Sequence, residues 1–102
     1  SERKFPAALI VPNFEMLESY AKLKELDIKT HEDFCHHPRI LDLFTRQIDA
    51  MTPSLSQFEK IKKFALLEHE LTVENGELTP TLKVKRRVIN EKYRDLIDEI
   101  YN

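Results

Sequence analysis

The residues best suited to chemistry lie between Thr79 and Arg87, where Thr-Pro-Thr-Leu-Lys-Val-Lys-Arg-Arg brings two hydroxyls and four cations together. Lys83, Lys85, Arg86 and Arg87 are groups that neutralise phosphate or carboxylate. The run follows Asn75-Gly76, and Gly76 is the only glycine in the chain. Asn-Gly predicts a tight turn with two positive φ angles, and Pro80 stops any strand leaving it. A loop braced at both ends and presenting the four cations is expected. The bland reading is a solvated basic turn at a helix start. Against it, cations there oppose the helix macrodipole at about 0.3–1 kcal/mol each. A sequence chosen for stability alone would put Asp or Glu at that point, so an anion brought to the cations is expected.

Other candidates are weaker. His31, Cys35, His36 and His37 lie close together, and His31 and Cys35 at i and i+4 share a helix face as zinc ligands can. A structural zinc site wants four ligands, however, and only His69 is added elsewhere, so helix-edge and capping roles are expected and no metal site is assigned. Nothing marks Cys35 as a nucleophile activated by an oriented base. The carboxylates Glu15, Glu18, Asp95, Asp98 and Glu99 fall at solvated-face positions. With its single glycine needed for a turn, the chain has no glycine-rich phosphate cradle, so any phosphate contact must come from side chains.

Composition limits what such a loop can belong to. The 102 residues make one domain at most, residues 1–102, with a small core. At 41% hydrophobic and 33% charged the chain is ordinary for a folded protein and too apolar for a disordered one. The net charge of −2 exerts no general pull on nucleic acid. Locally, Thr79 to Arg94 holds six cations against Glu91 alone, a patch that attracts anions. Cys35 has no partner in the chain, which makes a reducing, cytoplasmic setting the expectation. The longest apolar run, Ala7 to Val11, is far short of the ~20 residues that span a bilayer. The chain starts at Ser1 and reaches a strand-like run within a few residues, so it is expected to be cut from something longer.

The elements that must position the basic loop read as α+β. Phe5 to Val11, bounded by Pro6 and Pro12, fits a strand covered on both faces. Asn13 caps a helix with Phe14, Leu17 and Ala21 on one line and Met16, Tyr20 and Leu23 beside it, ending near Leu26. Thr30 with Asp33 caps a short turn through Cys35. Pro38 suits the first position of a helix whose buried line is Leu41, Phe44, Ile48 and Met51, with Pro53 at its end. A turn at Gln57 to Lys60 leads to a core strand in Ile61 to Glu68. Leu71 and Val73, then Leu78 beyond the Asn75-Gly76 turn, predict a hairpin. A last helix runs from about Arg87 to Tyr101, burying Ile89, Tyr93, Leu96 and Ile100. The expectation is a small mixed sheet of about three strands plus a hairpin, flanked by three main helices.

Gly76-Glu-Leu-Thr-Pro-Thr-Leu-Lys-Val-Lys-Arg, followed by a helix ending in Asp-Glu-Ile-Tyr, resembles the C-terminal end of the AMP-forming long-chain fatty acyl-CoA synthetases, in the adenylate-forming enzyme superfamily. Phe5-Pro-Ala-Ala-Leu-Ile-Val-Pro, the His-Pro-Arg-Ile start of the long helix and Phe58-Glu-Lys-Ile-Lys-Lys-Phe-Ala-Leu-Leu fit the same family. The similarity covers most of the chain.

The resemblance implies a mobile lid that closes on a larger N-terminal adenylation domain holding ATP and the acyl pocket. The intact enzyme would use ATP, Mg2+ and CoA to turn a fatty acid into acyl-adenylate and then thioester, and the fragment alone would be inactive. Lys83, the first lysine of the motif, is implied as the catalytic residue at the carboxylate and α-phosphate. Lys85, Arg86, Arg87, Thr79 and Thr81 are implied as substrate and phosphate contacts. Many superfamily members carry Gly where Leu82 stands, which leaves Lys85 as the alternative to Lys83. No nucleic-acid partner is expected, and peripheral membrane association of the intact enzyme stays open. The rival reading is a free-standing basic module that docks phosphate of RNA or an anionic surface. Only Tyr93 lies near the cations to stack on bases, and such binding would fall steeply with salt.

Overall fold

The computed structural model describes residues 5–51, 54 and 60–102. Within it the chain divides into two compact units, Ser1–Glu68 and His69–Asn102. The α+β class holds, with five helices and a small sheet among the described residues.

In Ser1–Glu68, β1 (Ala7–Ile10) pairs in parallel with β2 (Lys63–Leu66), in the register Ala7↔Lys63 to Ile10↔Leu66. Between them run α1 (Phe14–Leu23), α2 (His31–His36) and α3 (Pro38–Met51). Parallel neighbours need a long crossover, and the three helices supply it. The expected caps form. Asn13 Oδ1 accepts from Met16 N at 3.1 Å and Thr30 Oγ1 from Asp33 N at 3.0 Å, while Pro38 opens α3. The core gathers Leu17, Ala21, Phe34, Cys35, Ile40 and Leu66.

Several expectations for this unit need correction. The helix expected to reach Leu26 ends at Leu23, because Glu25 turns left-handed at φ 58. Leu26 N then donates to Ala21 O and Glu25 N to Lys22 O, the two bonds of a Schellman cap. With Glu in the place glycine usually takes, no local signal announced it. Met51, expected on the buried line of its helix, and Met16 and Leu23, expected to widen the apolar stripe of theirs, are exposed large hydrophobics. The α3 residue that is fully buried is Ile40, with Leu41 and Phe44 half-buried beside the core. The strand at residues 7–10 is half-buried along its length, where full cover was expected. Gln57 and Phe58 and the end signal at Pro53 lie outside the described residues.

In His69–Asn102 the described residues contain α4 (Arg86–Lys92) and α5 (Arg94–Tyr101). The single last helix expected from Arg87 to Tyr101 is thus broken at Tyr93, which sits at φ −109, ψ 25 and still carries the chain on through Ile97 N to Tyr93 O at 2.9 Å. Ile89 and Ile100 are buried as expected. The sheet is two-stranded and parallel among the described residues, not mixed and three-stranded. Leu71 and Val73 form no strand against Leu78; Leu78 instead bridges Val84 in antiparallel fashion.

Candidate functional site

Two successive turns in His69–Asn102 present the cations. The first spans residues 72–77, with Glu77 N donating to Thr72 O at 3.0 Å and Gly76 N to Val73 O at 2.9 Å. Thr72 Oγ1 accepts from Asn75 N at 3.0 Å. Gly76 alone takes a positive φ, 73°, where two had been expected at Asn75-Gly76. A Cβ there would meet nothing within 4 Å, so glycine is wanted for its backbone freedom and not for space.

The second turn carries the motif. Leu82 N donates to Thr79 O and Thr79 N to Lys83 O, both at 2.8 Å, and Lys85 N donates to Glu77 O at 2.8 Å. Pro80, Thr81 and Leu82 form a three-residue hairpin loop whose third residue is left-handed, the common companion of a type I turn. That residue is Leu82, at φ 66, where a side chain costs about 1–2 kcal/mol. Leu82 is also exposed. The hairpin therefore folds around Pro80 and not around Asn75-Gly76, because the Leu78–Val84 pairing places the strand ends there.

All six residues singled out by sequence fall in this segment. Thr79 Oγ1 accepts from Lys83 N at 3.0 Å and lies 3.2 Å from Thr81 Oγ1, so both hydroxyls are engaged within the loop and that of Thr79 fixes the backbone of Lys83. Lys83, Lys85, Arg86 and Arg87 are exposed. The ion pairs among the described residues do not include them. Lys85 stands at the N-cap of α4 without a side-chain cap, and no acid occupies the first turn. The helix start is thus left positive, as its sequence implied.

Lys92, counted with the cationic patch, is withdrawn from it. Its Nζ lies 2.6 Å from Glu77 Oε2, and Glu77 Oε1 accepts from Thr72 N at 3.0 Å. Glu77 is 1% exposed. The Lys92 ammonium, first by its hydrogen bond, holds the Glu77 carboxyl below the usual range against the opposing effect of burial. The same hydrogen bond raises Lys92. Sequence reasoning missed Glu77. A Glu between Gly and Leu reads as loop, and its partner lies fifteen positions on.

The other candidates are structural. The His31 ring stacks on Phe14 with centroids 3.7 Å apart, and its Nδ1 is 3.0 Å from Glu68 O. Cys35 is buried, and burial, then the charge of Glu68, pushes its thiol up to about 11. Among the described residues no group of three His, Cys, Asp or Glu side chains could hold a metal ion, and no helix is long and apolar enough to cross a membrane.

No protein-family model and no solved structure matches the chain. Curated sequences do. FadD15, a long-chain-fatty-acid–CoA ligase of Mycobacterium tuberculosis, is 34% identical over 104 residues, which is 98% of this chain and 17% of that enzyme. The Drosophila melanogaster ligase heimdall is 38% identical over 65 residues, 63% of this chain and 10% of its own length. The Gallus gallus ligase ACSBG2 reaches 50% over 48 residues, 47% of this chain and 6% of that enzyme. A mixed α/β segment sharing this much with such proteins is similar to one stretch of enzymes whose names make them acid–thiol ligases. Within that class the chain belongs to the long-chain-fatty-acid–CoA ligase family. It spans less than a fifth of the length of these relatives, 17% at most. The relatives are ligases by name, and nothing among them favours a free-standing phosphate-binding module.

Proposed function

We propose that this chain is the C-terminal lid of a long-chain fatty acid–CoA ligase and that it delivers Lys83 to the site of acyl-adenylate formation. The observation that carries the reading is the exposed hairpin on which Lys83 stands without an ion pair among the described residues. In the first half-reaction a fatty carboxylate oxygen bonds to the α-phosphorus of ATP while the bond to pyrophosphate breaks. Two anions must approach, and a compact ammonium beside the forming bond offsets that repulsion. In the second, the CoA sulfur bonds to the acyl carbon and AMP leaves, a step that does not call on Lys83 at the phosphate. A hairpin that can be presented and withdrawn suits two such steps.

Lys85, Arg86 and Arg87 extend the positive surface toward phosphate, and the Thr79 hydroxyl, itself paired with that of Thr81, holds the Lys83 backbone. Mg2+ would neutralise phosphate charge, but the described residues offer no ligand cluster for it, so this chain's part runs through its cations. The adenylation domain, the acyl pocket and the CoA contacts belong to the rest of the enzyme. The lone buried Cys35 suits a cytoplasmic protein.

In the intact enzyme Lys83→Ala should slow fatty-acid-dependent ATP–pyrophosphate exchange on the order of 10²- to 10³-fold. Thioester formation from supplied acyl-adenylate should survive. An equal loss in both half-reactions would remove Lys83 from adenylation.

A further inference from the structure

Glu77 uses every polar atom it has. Its N–H donates to Thr72 O, its C=O accepts from Lys85 N, Oε1 accepts from Thr72 N, and Oε2 accepts from Lys92 Nζ. One residue thereby joins the 72–77 turn, the base of the Lys83 hairpin and the last turn of α4. The hairpin has little else to hold it, since its ladder is the single Leu78–Val84 bridge and so short a hairpin is not stable alone. Its tip is exposed, and at its base Glu77 is buried beside a half-buried Leu78 while Val84 and Lys85 are exposed.

We propose that Glu77 and Lys92 are the positioning pair for Lys83: they clamp the hairpin base onto α4 so that the Lys83 ammonium arrives at the reacting carboxylate in one orientation. The inference rests on the adenylation role given to Lys83. Burying the Glu77 carboxylate against a half-exposed ammonium is a poor choice for stability alone, because an apolar residue of similar volume at a buried position usually holds as well or better. What charge-assisted hydrogen bonds add is direction and a set distance. Catalysis by a delivered charge depends on both, since a displacement of about 1 Å can cost a factor on the order of 100. Thr79 adds the same control at the other end of the hairpin by accepting from Lys83 N.

The test is a double-mutant cycle in the intact ligase with Glu77→Gln, Lys92→Gln and both together. Gln at 77 keeps the volume and an acceptor for Thr72 N. The side chain of Lys92, 44% exposed, can be changed without leaving a cavity. Each single variant should slow the kcat of ATP–pyrophosphate exchange about 10- to 100-fold, with KM for ATP and fatty acid nearly unmoved. The double should be no slower than the worse single, and Lys92→Arg should recover most of the rate. Thioester formation from supplied acyl-adenylate should stay near wild type. Wild-type exchange rates in the single variants, or strictly multiplicative losses in the double, overturn the proposal. So does a parallel fall in both half-reactions that follows the folded fraction. Lys83→Ala in the same assay separates the two readings. If it leaves exchange intact, the adenylation role falls first. If Lys83 is needed but Glu77 and Lys92 are not, the positioning pair alone is lost.

Discussion

Among the described residues of Ser1–Glu68 the deepest side chains are Phe34 and Ile40, at 2% and 0% exposure, whereas in His69–Asn102 the deepest is a carboxylate, Glu77, at 1%. The first unit closes an apolar core with helices laid between two parallel strands. The second has Ile89 and Ile100 for apolar burial and directs its best hydrogen bonds to one charged residue. Apolar burial is insensitive to direction and to pH, so it suits a unit that only has to persist. Hydrogen-bonded charge is directional and titrates, which suits the proposed task of aiming a cation. The contrast teaches that the basic hairpin is held by geometry more than by bulk.

The largest effect should come from the apolar side. Phe34→Ala is expected to cost about 3–5 kcal/mol, read as a lower denaturant midpoint; a loss below about 1 kcal/mol would mean that the core is not where this unit's stability resides.

The second prediction probes pH. Because the carboxyl of Glu77 is lowered in the fold, its stabilising effect is fully present above the ordinary carboxylate range and is lost as pH falls through the lowered value. Acid melting followed by exchange of the Lys85 and Thr72 amides should show that loss in His69–Asn102, and Glu77→Gln should flatten it. In the other unit the sign reverses. Cys35 is raised to about 11, so the folded state keeps its proton and its advantage drains away as pH rises from the ordinary thiol range toward that value. A disulfide reagent should therefore modify Cys35 at neutral pH only as fast as the unit opens.

The smallest effects concern one left-handed residue in each unit, Glu25 at φ 58 and Leu82 at φ 66. Glycine at either site should gain up to about 1 kcal/mol, the relief of a left-handed side chain less glycine's own entropy. The gain should be larger for Glu25→Gly, which also removes an anion from a helix C-terminus. Thermal melts of the two variants would rank them, and a loss at position 82 would mean that the Leu82 side chain has contacts that offset its strain.

The local chemistry was open to reading in advance. Asn13, Thr30 and Pro38 mark helix starts because a cap needs only the residue and the next turn. The stretches Phe5 to Val11 and Ile61 to Glu68 marked strands, which form over their middles at Ala7–Ile10 and Lys63–Leu66, and the motif from Gly76 to Arg86 marked the basic loop. The end of α1 was hidden because Glu25 supplies a turn that glycine usually signals. The hairpin was placed one turn too early, since Asn75-Gly76 carries the stronger local signal while Leu78 and Val84 chose each other across Pro80.

Which residues bear the charge, where α1, α3 and α4 begin and which ligase family the motif resembles were all set by the sequence, because each is written in neighbouring positions. Only the tertiary structure decided that β1 pairs with β2 in parallel, that Glu77 is buried, and that Lys92 leaves the cationic patch to hold it. Those outcomes depend on groups far apart along the chain, whose free energy of meeting is set by what the fold removes from water between them.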